Sequence, residues 1–123
     1  MPRNVKDVLV ATLALFTPRK KWTQGSYSAA INTGDMKDEW NRKAEDTCYC
    51  LAGGLRVAIA PRTDGVAYAP CTDDTFGLYR NTLKALGFDA EHEAVVWNDR
   101  PSRTKRQVTD RIRKAIKEQS IAA

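Results

Sequence analysis

Three side chains with the chemistry of a cysteine hydrolase occur in the order nucleophile, base and orienting acid: Cys50, His92 and Asp99. A thiol becomes a nucleophile when it is partly exposed and its pKa is lowered, for instance at the start of a helix. Cys50 lies near the start of a predicted helix, but no glycine-rich oxyanion signature flanks it, and His92 stands between two glutamates in an expected solvated loop. A cysteine-dependent enzyme using Cys50 is therefore an alternative and not the first interpretation.

Cys48, Cys50, Cys71 and His92 also add up to four possible zinc ligands. Structural zinc sites favour roughly two to four residues between paired cysteines, whereas only Tyr49 separates Cys48 from Cys50. On a helix with about 3.6 residues per turn, thiols two positions apart point about 160° away from each other. Glycine-rich phosphate loops and H-E-x-x-H motifs are also absent, so we expect neither a metal site nor a cofactor.

A second group of candidate residues combines tryptophan rings with hydrogen-bonding side chains. Trp97 is followed directly by Asn98 and Asp99, and Trp22 lies near a glycine in a separate segment. Large rings beside a few polar groups can line a binding pocket. Turn chemistry is the structural alternative, because asparagine and aspartate bond backbone N–H groups before a helix. Trp22, Trp97, Asn98 and Asp99 are candidate binding residues, and nothing about them requires catalysis.

The basic helix predicted over residues 105–119 is the best candidate for recognition. Its apolar stripe comprises Val108, Ile112, Ala115 and Ile116. Its candidate binding cations are Arg106, Arg113, Lys114 and Lys117. Such cations can contact nucleic-acid phosphates. However, Asp110 has i, i+4 spacing to Arg106 and Lys114, which suits surface ion pairs, and no aromatic residue interleaves with the charges as a stacking platform would require. A solvated face is the simpler interpretation, and nucleic-acid binding stays an alternative.

Size and composition limit the class of protein. A chain of 123 residues has no room for a second core, so we expect a single domain over residues 1–123. Hydrophobic residues make up 42% and charged residues 28%, which is typical of globular proteins, and the net charge of +5 points only weakly to polyanions. Three cysteines do not suit a disulfide framework, which normally uses an even number. No segment has the ~20 apolar residues of a membrane span, and no small-residue cleavage site of a signal peptide follows the first apolar run. We expect a cytoplasmic protein outside the membrane.

The elements that position these residues follow from helix signals. Helices are predicted over residues 5–16, 47–60, 74–86 and 105–119, with a turn at 32–35, a helical turn at 36–43, a loop at 62–71 and a short strand at 94–97. Asn4 suits the first N-cap, Gly87 and Phe88 suit a Schellman end of the third helix, and Thr104 and Gln107 have capping-box spacing. The third helix is expected to turn Phe76, Tyr79, Leu83 and Leu86 inward.

The expected fold class is mainly α: a compact domain of three to four helices with a small extended or β element. Trp22, Trp40 or Trp97 should hold loops against the core. Gly53 and Gly54 lie inside the second predicted helix, where each costs about 1 kcal/mol relative to alanine. Such a pair usually indicates that another backbone packs closely there.

Three segments carry a resemblance to a known family. Trp22 begins W-T-Q-G, Cys50 begins C-L-A-G-G-L, and Trp97 begins W-N-D-R-P-S-R-T. In the same order they resemble the motifs W-T-Q-G, C-x-x-G-A-L and W-N-D-x-P-x-R-T of an uncharacterised family of small single-domain proteins from bacteria and their phages. Gly54 departs from that pattern, where alanine is usual. The resemblance implies a bacterial or phage setting and assigns no activity.

These observations favour a small, non-enzymatic accessory protein that binds a host protein partner in a bacterial or phage cytoplasm. The small size and the lack of a persuasive catalytic constellation motivate this expectation. Nucleic-acid binding through the basic helix and cysteine-dependent catalysis are the two alternatives. The sequence does not determine the oligomeric state.

Overall fold

The computed structural model describes residues 4–18, 21–31, 43–61 and 73–122. Trp40, Cys71, the predicted turn at 32–35 and the predicted loop at 62–71 lie outside the described residues, as does the helical turn at 36–43 except for Lys43.

Helix α1 spans Val5–Phe16 and confirms the first predicted helix. Asn4 caps it, since its Oδ1 accepts a 2.9 Å hydrogen bond from the backbone N–H of Asp7. Its buried residues are Val8, Leu9, Thr12 and Phe16. They share one helical face, which is why the helix packs into the core.

The helix predicted over residues 47–60 is wrong in its first turn. Strand β1 (Ser28–Ala30) pairs antiparallel with strand β2 (Thr47–Tyr49), which a short 3₁₀ turn, Ala44–Asp46, precedes. Helix α2 spans only Leu51–Ile59, with the extended residue Cys50 at its N-cap. All of β2 is buried, and a fully buried run has no periodicity that distinguishes strand from helix. Pairing with β1 decides the outcome.

Helix α3 spans Asp73–Ala85, close to the prediction. The Schellman end is confirmed: Phe88 N–H donates to the Leu83 carbonyl at 2.9 Å, Gly87 N–H donates to the Lys84 carbonyl at 2.9 Å, and Gly87 has a φ of 95°. The inward position of Phe76 is wrong. Its side chain is 49% exposed and lies against the guanidinium of Arg80.

Helix α4 spans Glu91–Asn98, so the strand predicted at 94–97 is wrong. Ala94 and Asn98 are its buried residues, a spacing of four that belongs to a helix, whereas Val96 is 48% exposed. The expected solvated loop around His92 is wrong as well, because these residues form the first turn of α4, where His92 is exposed. Glu93 supports that turn, since its Oε2 accepts from the backbone N–H of Asp89 at 2.7 Å.

Helix α5 spans Lys105–Ala122. The capping box is confirmed, because Gln107 N–H donates to Thr104 Oγ1 at 3.2 Å and Thr104 N–H donates to Gln107 Oε1 at 3.0 Å. Helix α1 contacts α2, α3 and α5, and their inward faces share one hydrophobic core. The mainly helical class with a small β element is confirmed. The described residues form five helices, one more than expected, because α4 replaces the strand.

Candidate binding site

The buried amide of Asn98 joins three distant parts of the chain. Asn98 is the last residue of α4 and is 0% exposed. Its Oδ1 accepts hydrogen bonds from the indole N–H of Trp22 at 2.7 Å and from the backbone N–H of Leu51 at 3.0 Å. Its Nδ2 donates to the carbonyl of Thr23 at 3.1 Å. We call Trp22, Leu51 and Asn98 the amide junction, since one side chain ties residues 22–25 and the start of α2 to the end of α4.

Further hydrogen bonds hold residues 22–25 against the end of α4. Asp99 Oδ1 accepts from Asn98 Nδ2 at 2.9 Å and from the backbone N–H of Gly25 at 3.0 Å. Gly25 has a φ of 83°, a left-handed conformation that glycine adopts without strain. The side chain of Gln24 donates to the carbonyls of Asn98 and Arg100. The structure therefore brings Trp22, Asn98 and Asp99 together, with the Asn98 amide fully used in internal bonds.

Two half-buried arginines stack on the indole ring of Trp97. Cζ of Arg103 lies 4.0 Å from the ring centroid and Cζ of Arg111 lies 4.8 Å from it, while Arg111 also lies 4.2 Å from the ring of Phe88. A backbone carbonyl anchors each guanidinium: Arg103 Nε donates to Trp97 at 2.8 Å, and Arg111 Nε donates to Leu86 at 2.7 Å. We call Arg103 and Arg111 the arginine pair. Stacking and anchoring together fix where their charges lie.

The arginine pair has no counter-charge in the part of the chain that the structure describes. The surface ion pairs of α5 are Arg106–Asp110, Arg113–Asp110 and Lys114–Glu118. The nearby carboxylates of Asp110 and Glu118 thus pair with other cations, and that of Glu93 accepts from the backbone N–H of Asp89. Burial, and then the charge of Arg103, lowers the pKa of the Arg111 guanidinium. The charged form of Arg111 is therefore disfavoured by its surroundings, and a bound anion would stabilise it.

The arginine pair lines a recess of about 580 Å³ between the end of α3 and α5. Its lining includes Leu86, Gly87, Trp97 and Gln107, together with the charged residues Asp110, Lys114 and Glu118. A second recess of about 410 Å³ lies along α4 and is lined by Phe88, His92, Val96, Trp97 and Arg111 among others. Both volumes fall within the range of ligand sites, roughly 300–1,000 Å³. Trp97 and Arg111 line both recesses and so stand at the centre of this surface.

The cations predicted to bind on the basic helix are exposed, and most of them have a carboxylate partner, unlike the arginine pair. Arg106 and Arg113 flank Asp110, and Lys114 lies 4.0 Å from Glu118. Such exposed pairs contribute about 0.2–1 kcal/mol each. Lys117 is exposed. The face that the sequence singled out is therefore a surface of mixed charge.

Sequence reasoning missed the arginine pair as a site, although a signal was present. Arg111 directly precedes Ile112 of the buried stripe, so its aliphatic stem must run along the core edge. Arg103 lies six residues after Trp97, within reach only because α4 ends at Asn98 and the chain turns back. The second condition depends on α4, which the sequence did not predict.

The Cys50 thiol lies inside the protein. Cys50 is 3% exposed, and its Sγ accepts from the backbone N–H of Gly53 at 3.4 Å. Burial raises the pKa of the thiol to about 11. The Gly53 hydrogen bond lowers this pKa, and the Asp99 carboxylate raises it by a smaller amount than burial does. At neutral pH the group is a protonated thiol, which is a poor nucleophile.

We expect Cys50 to resist alkylation in the folded protein. A pKa of about 11 leaves roughly one thiol in 10⁴ ionised at pH 7, and only the thiolate reacts. Iodoacetamide treatment of native and urea-unfolded protein, followed by tandem mass spectrometry, measures this and separates Cys48 from Cys50 within one peptide. Labelling of Cys50 should need unfolding. Rapid labelling of the native protein would contradict the buried position and favour the cysteine-enzyme alternative.

The two described cysteines serve different backbone groups. The thiol of Cys48 donates to the carbonyl of Ala29 at 3.3 Å, whereas Cys50 accepts from Gly53. Over the described ranges, no three His, Cys, Asp or Glu side chains are grouped so that they could hold a metal ion. Likewise, none of the helices seen there has the length and apolar character needed to span a bilayer.

A second polar cluster lies at the start of α4. Glu91 Oε2 lies 2.6 Å from Arg56 Nη2, and Glu91 Oε1 accepts from the phenol of Tyr27. The Arg56 guanidinium also faces the rings of Tyr27 and Tyr79 at 5.2 and 5.4 Å. Burial alone would raise the pKa of Glu91, but hydrogen bonds from Tyr27 and Arg56 outweigh it, so the pKa is lowered. The cluster joins α2, α3 and α4 through partners far apart in the sequence.

We expect Glu91→Gln to remove part of the acid sensitivity of folding. Because the folded-state pKa lies below the usual 4.5, ionised Glu91 stabilises the fold above that pH, and this contribution is lost as the pH falls through the folded-state pKa. At pH 7 the free energy of unfolding should drop by about 1 kcal/mol, allowing for solvent screening.

Urea titrations at pH 7 and pH 3 compare Glu91→Gln with wild type, and Glu118→Gln serves as a control at an exposed ion pair. The difference between the wild-type and Glu91→Gln stabilities should be smaller at pH 3 than at pH 7. An equal difference at both pH values would contradict the role given to the ionised carboxylate.

The sequence model of a family of unknown function (DUF6197) matches residues 1–118. No curated protein and no solved structure shows significant similarity to the chain. The matched range includes the amide junction and the arginine pair. The comparisons bring no activity with them.

Proposed function

Because the chain belongs to a family of unknown function (DUF6197), its role has to be inferred from its own surface, and we propose that it is a non-enzymatic accessory protein that binds a protein partner through the arginine pair. The bacterial or phage cytoplasm is the setting we propose, on the resemblance of the segments that begin at Trp22, Cys50 and Trp97. A host protein is the partner that this setting favours.

One observation carries the proposal: the arginine pair is anchored, half-buried and without a counter-charge among the described residues. A cation partly removed from water is stabilised by pairing with an anion. Arginine and tryptophan are also the residue types that most often carry the binding energy of protein interfaces. The surface around Trp97 therefore has the composition of an interface centre that lacks its partner.

The surroundings of the cysteines and of α5 favour binding to a protein over the two alternatives. The Cys50 thiol is buried and protonated at neutral pH, which supports binding over nucleophilic catalysis. A nucleic acid lying along α5 would pass Asp110 and Glu118 as well as the cations. A polyanion along the helix has to pass both carboxylates over its length, whereas one local anionic group can meet the unpaired charges of Arg103 and Arg111, which makes the local group the better fit.

Affinity capture from a nuclease-treated bacterial lysate tests the proposal. Wild type should retain one stoichiometric host protein, and the Arg103→Gln/Arg111→Gln variant should lose it, because each buried interfacial charge pair is worth about 2 kcal/mol or more. Arg106→Gln/Arg113→Gln is the matched control, with the same charge change on α5 but at paired, exposed sites.

Circular dichroism first has to show that both double variants fold. If the control variant loses the partner and the arginine-pair variant keeps it, the arginine pair is not the surface that binds the partner. Retention of nucleic acid alone, and only when nuclease is omitted, would favour the nucleic-acid alternative.

A further inference from the structure

Resting on the proposed binding function, we infer that the arginine pair receives a phosphoryl group carried by a phosphorylated side chain of the partner. The phosphoryl group would lie in the recess between the end of α3 and α5.

The charge of the arginine pair favours a dianion. The arginine pair presents two positive charges to one recess. Asp110 and Glu118 also line this recess, but their carboxylates pair with Arg106, Arg113 and Lys114, so neither of them is paired with Arg103 or Arg111. A phosphate monoester carries about −1.5 to −2 charge at neutral pH and three acceptor oxygens, whereas a carboxylate carries one charge and two oxygens. A dianion therefore matches the pair more closely than one acidic side chain does.

The arginine pair also has N–H donors that its backbone anchors leave free. Each guanidinium uses its Nε for a backbone carbonyl, so the terminal N–H groups at Nη1 and Nη2 have no acceptor in the described residues. An added Cβ at Gly87 would lie 2.8 Å from Nη2 of Arg111, so this glycine leaves space around that donor. Guanidinium groups bind phosphate oxygens through such pairs of N–H donors.

Gln107 adds a further donor to the recess. Its Oε1 accepts from the backbone N–H of Thr104 in the capping box, which leaves the amide N–H group of the same side chain to donate. The capping bond also holds this side chain in one orientation at the start of α5. The recess thus combines two fixed guanidinium groups with one neutral donor, a common composition of phosphate sites.

The neighbouring recess indicates that the phosphoryl group belongs to a polypeptide. It shares Trp97 and Arg111 with the first recess, and Phe88 and Val96 give it apolar lining. Val96 is 48% exposed although it is a large apolar side chain. An apolar residue beside the phosphorylated one could occupy this space, which free phosphate cannot do.

Titration of arginine Nε–H resonances in ¹H–¹⁵N NMR spectra tests the inference. The probe is a hexapeptide with phosphoserine next to leucine, compared with the same peptide carrying serine or glutamate in place of phosphoserine and with inorganic phosphate. The phosphopeptide should shift the Arg103 and Arg111 resonances saturably and bind at least about tenfold more tightly than the three other probes. Arg103→Gln/Arg111→Gln should abolish binding, and Arg106→Gln/Arg113→Gln should preserve it.

Equal affinity for the glutamate peptide would overturn the choice of a phosphoryl group, and equal affinity for inorganic phosphate would overturn the choice of a phosphorylated side chain. No shift at millimolar phosphopeptide would overturn both. Treating the lysate with phosphatase before affinity capture separates binding of a partner from recognition of its phosphoryl group. A partner that is retained after this treatment, yet lost in the arginine-pair variant, would refute the phosphoryl inference and leave the binding function standing.

Discussion

Replacing Asn98 with alanine should lower the free energy of unfolding by about 4 kcal/mol. The variant leaves the N–H groups of Trp22 and Leu51 and the carbonyl of Thr23 without their partner. Each unsatisfied buried polar group costs about 1–3 kcal/mol. Water does not replace the amide easily, because Asn98 is 0% exposed. Urea denaturation followed by far-UV circular dichroism measures the loss.

Trp22→Phe provides the companion variant for this prediction. It removes one donor and keeps an aromatic ring, so it should cost about 1–2 kcal/mol. In the double variant the two losses should be less than additive, since Asn98 and Trp22 share a hydrogen bond. Gln24→Ala is the comparison for the surrounding loop, since it removes two hydrogen bonds to backbone carbonyls from an exposed side chain and leaves the Asn98 amide in place. Additive losses in the double variant would refute the central role of the amide. A loss of unfolding free energy for Asn98→Ala no larger than that for Gln24→Ala would refute it as well.

Gly53→Ala should destabilise the fold by about 3 kcal/mol, although alanine is the better helix former by about 1 kcal/mol. The added Cβ would overlap the carbonyl oxygen of Tyr27 and lie 2.9 Å from its carbonyl carbon. That carbonyl accepts from Cys50 N–H and directly precedes β1. The backbone of residue 27 therefore has to move away from α2, which loosens the pairing of β1 with β2.

Gly54→Ala separates helix propensity from the close approach of the two backbones. Its added Cβ would meet Cζ of Phe16 at 2.5 Å, a side-chain atom that can turn away at some cost, so the loss should be smaller than for Gly53→Ala. Thermal unfolding of both variants beside wild type measures the difference. A stabilised Gly53→Ala protein would show that α2 and residue 27 do not pack as described.

The parts of the fold that sequence predicts are those decided by neighbours in the chain. The cap at Asn4, the Schellman end at Gly87 and the capping box at Thr104 each join residues within five positions, so their side chains reveal them. The strand pair and α4 depend on distant contacts. Residues 47–49 become a strand because residues 28–30 lie beside them, and no local pattern contains that information.

The candidate site shows the same contrast between features decided by chain neighbours and features decided by distant contacts. Adjacent polar and aromatic residues identified Trp97, Asn98 and Asp99 as notable, but the partners of Asn98 lie 76 and 47 positions away. The charges of α5 were visible in the sequence, yet which of them lack a counter-charge depends on where α3 and α4 end. Arg103 and Arg111 could be distinguished from Arg106 and Arg113 only once the ring of Trp97 was placed.

The last turn of α4 has a consequence for the kinetics of association. Trp97 supplies the carbonyl that anchors Arg103, and the next residue supplies the amide that ties three segments together. The proposed recognition surface therefore cannot rearrange without disturbing the core, and a partner that binds there would dock as on a rigid body. Encounter rates should then vary little among related partners, and selectivity should reside in how long each complex survives.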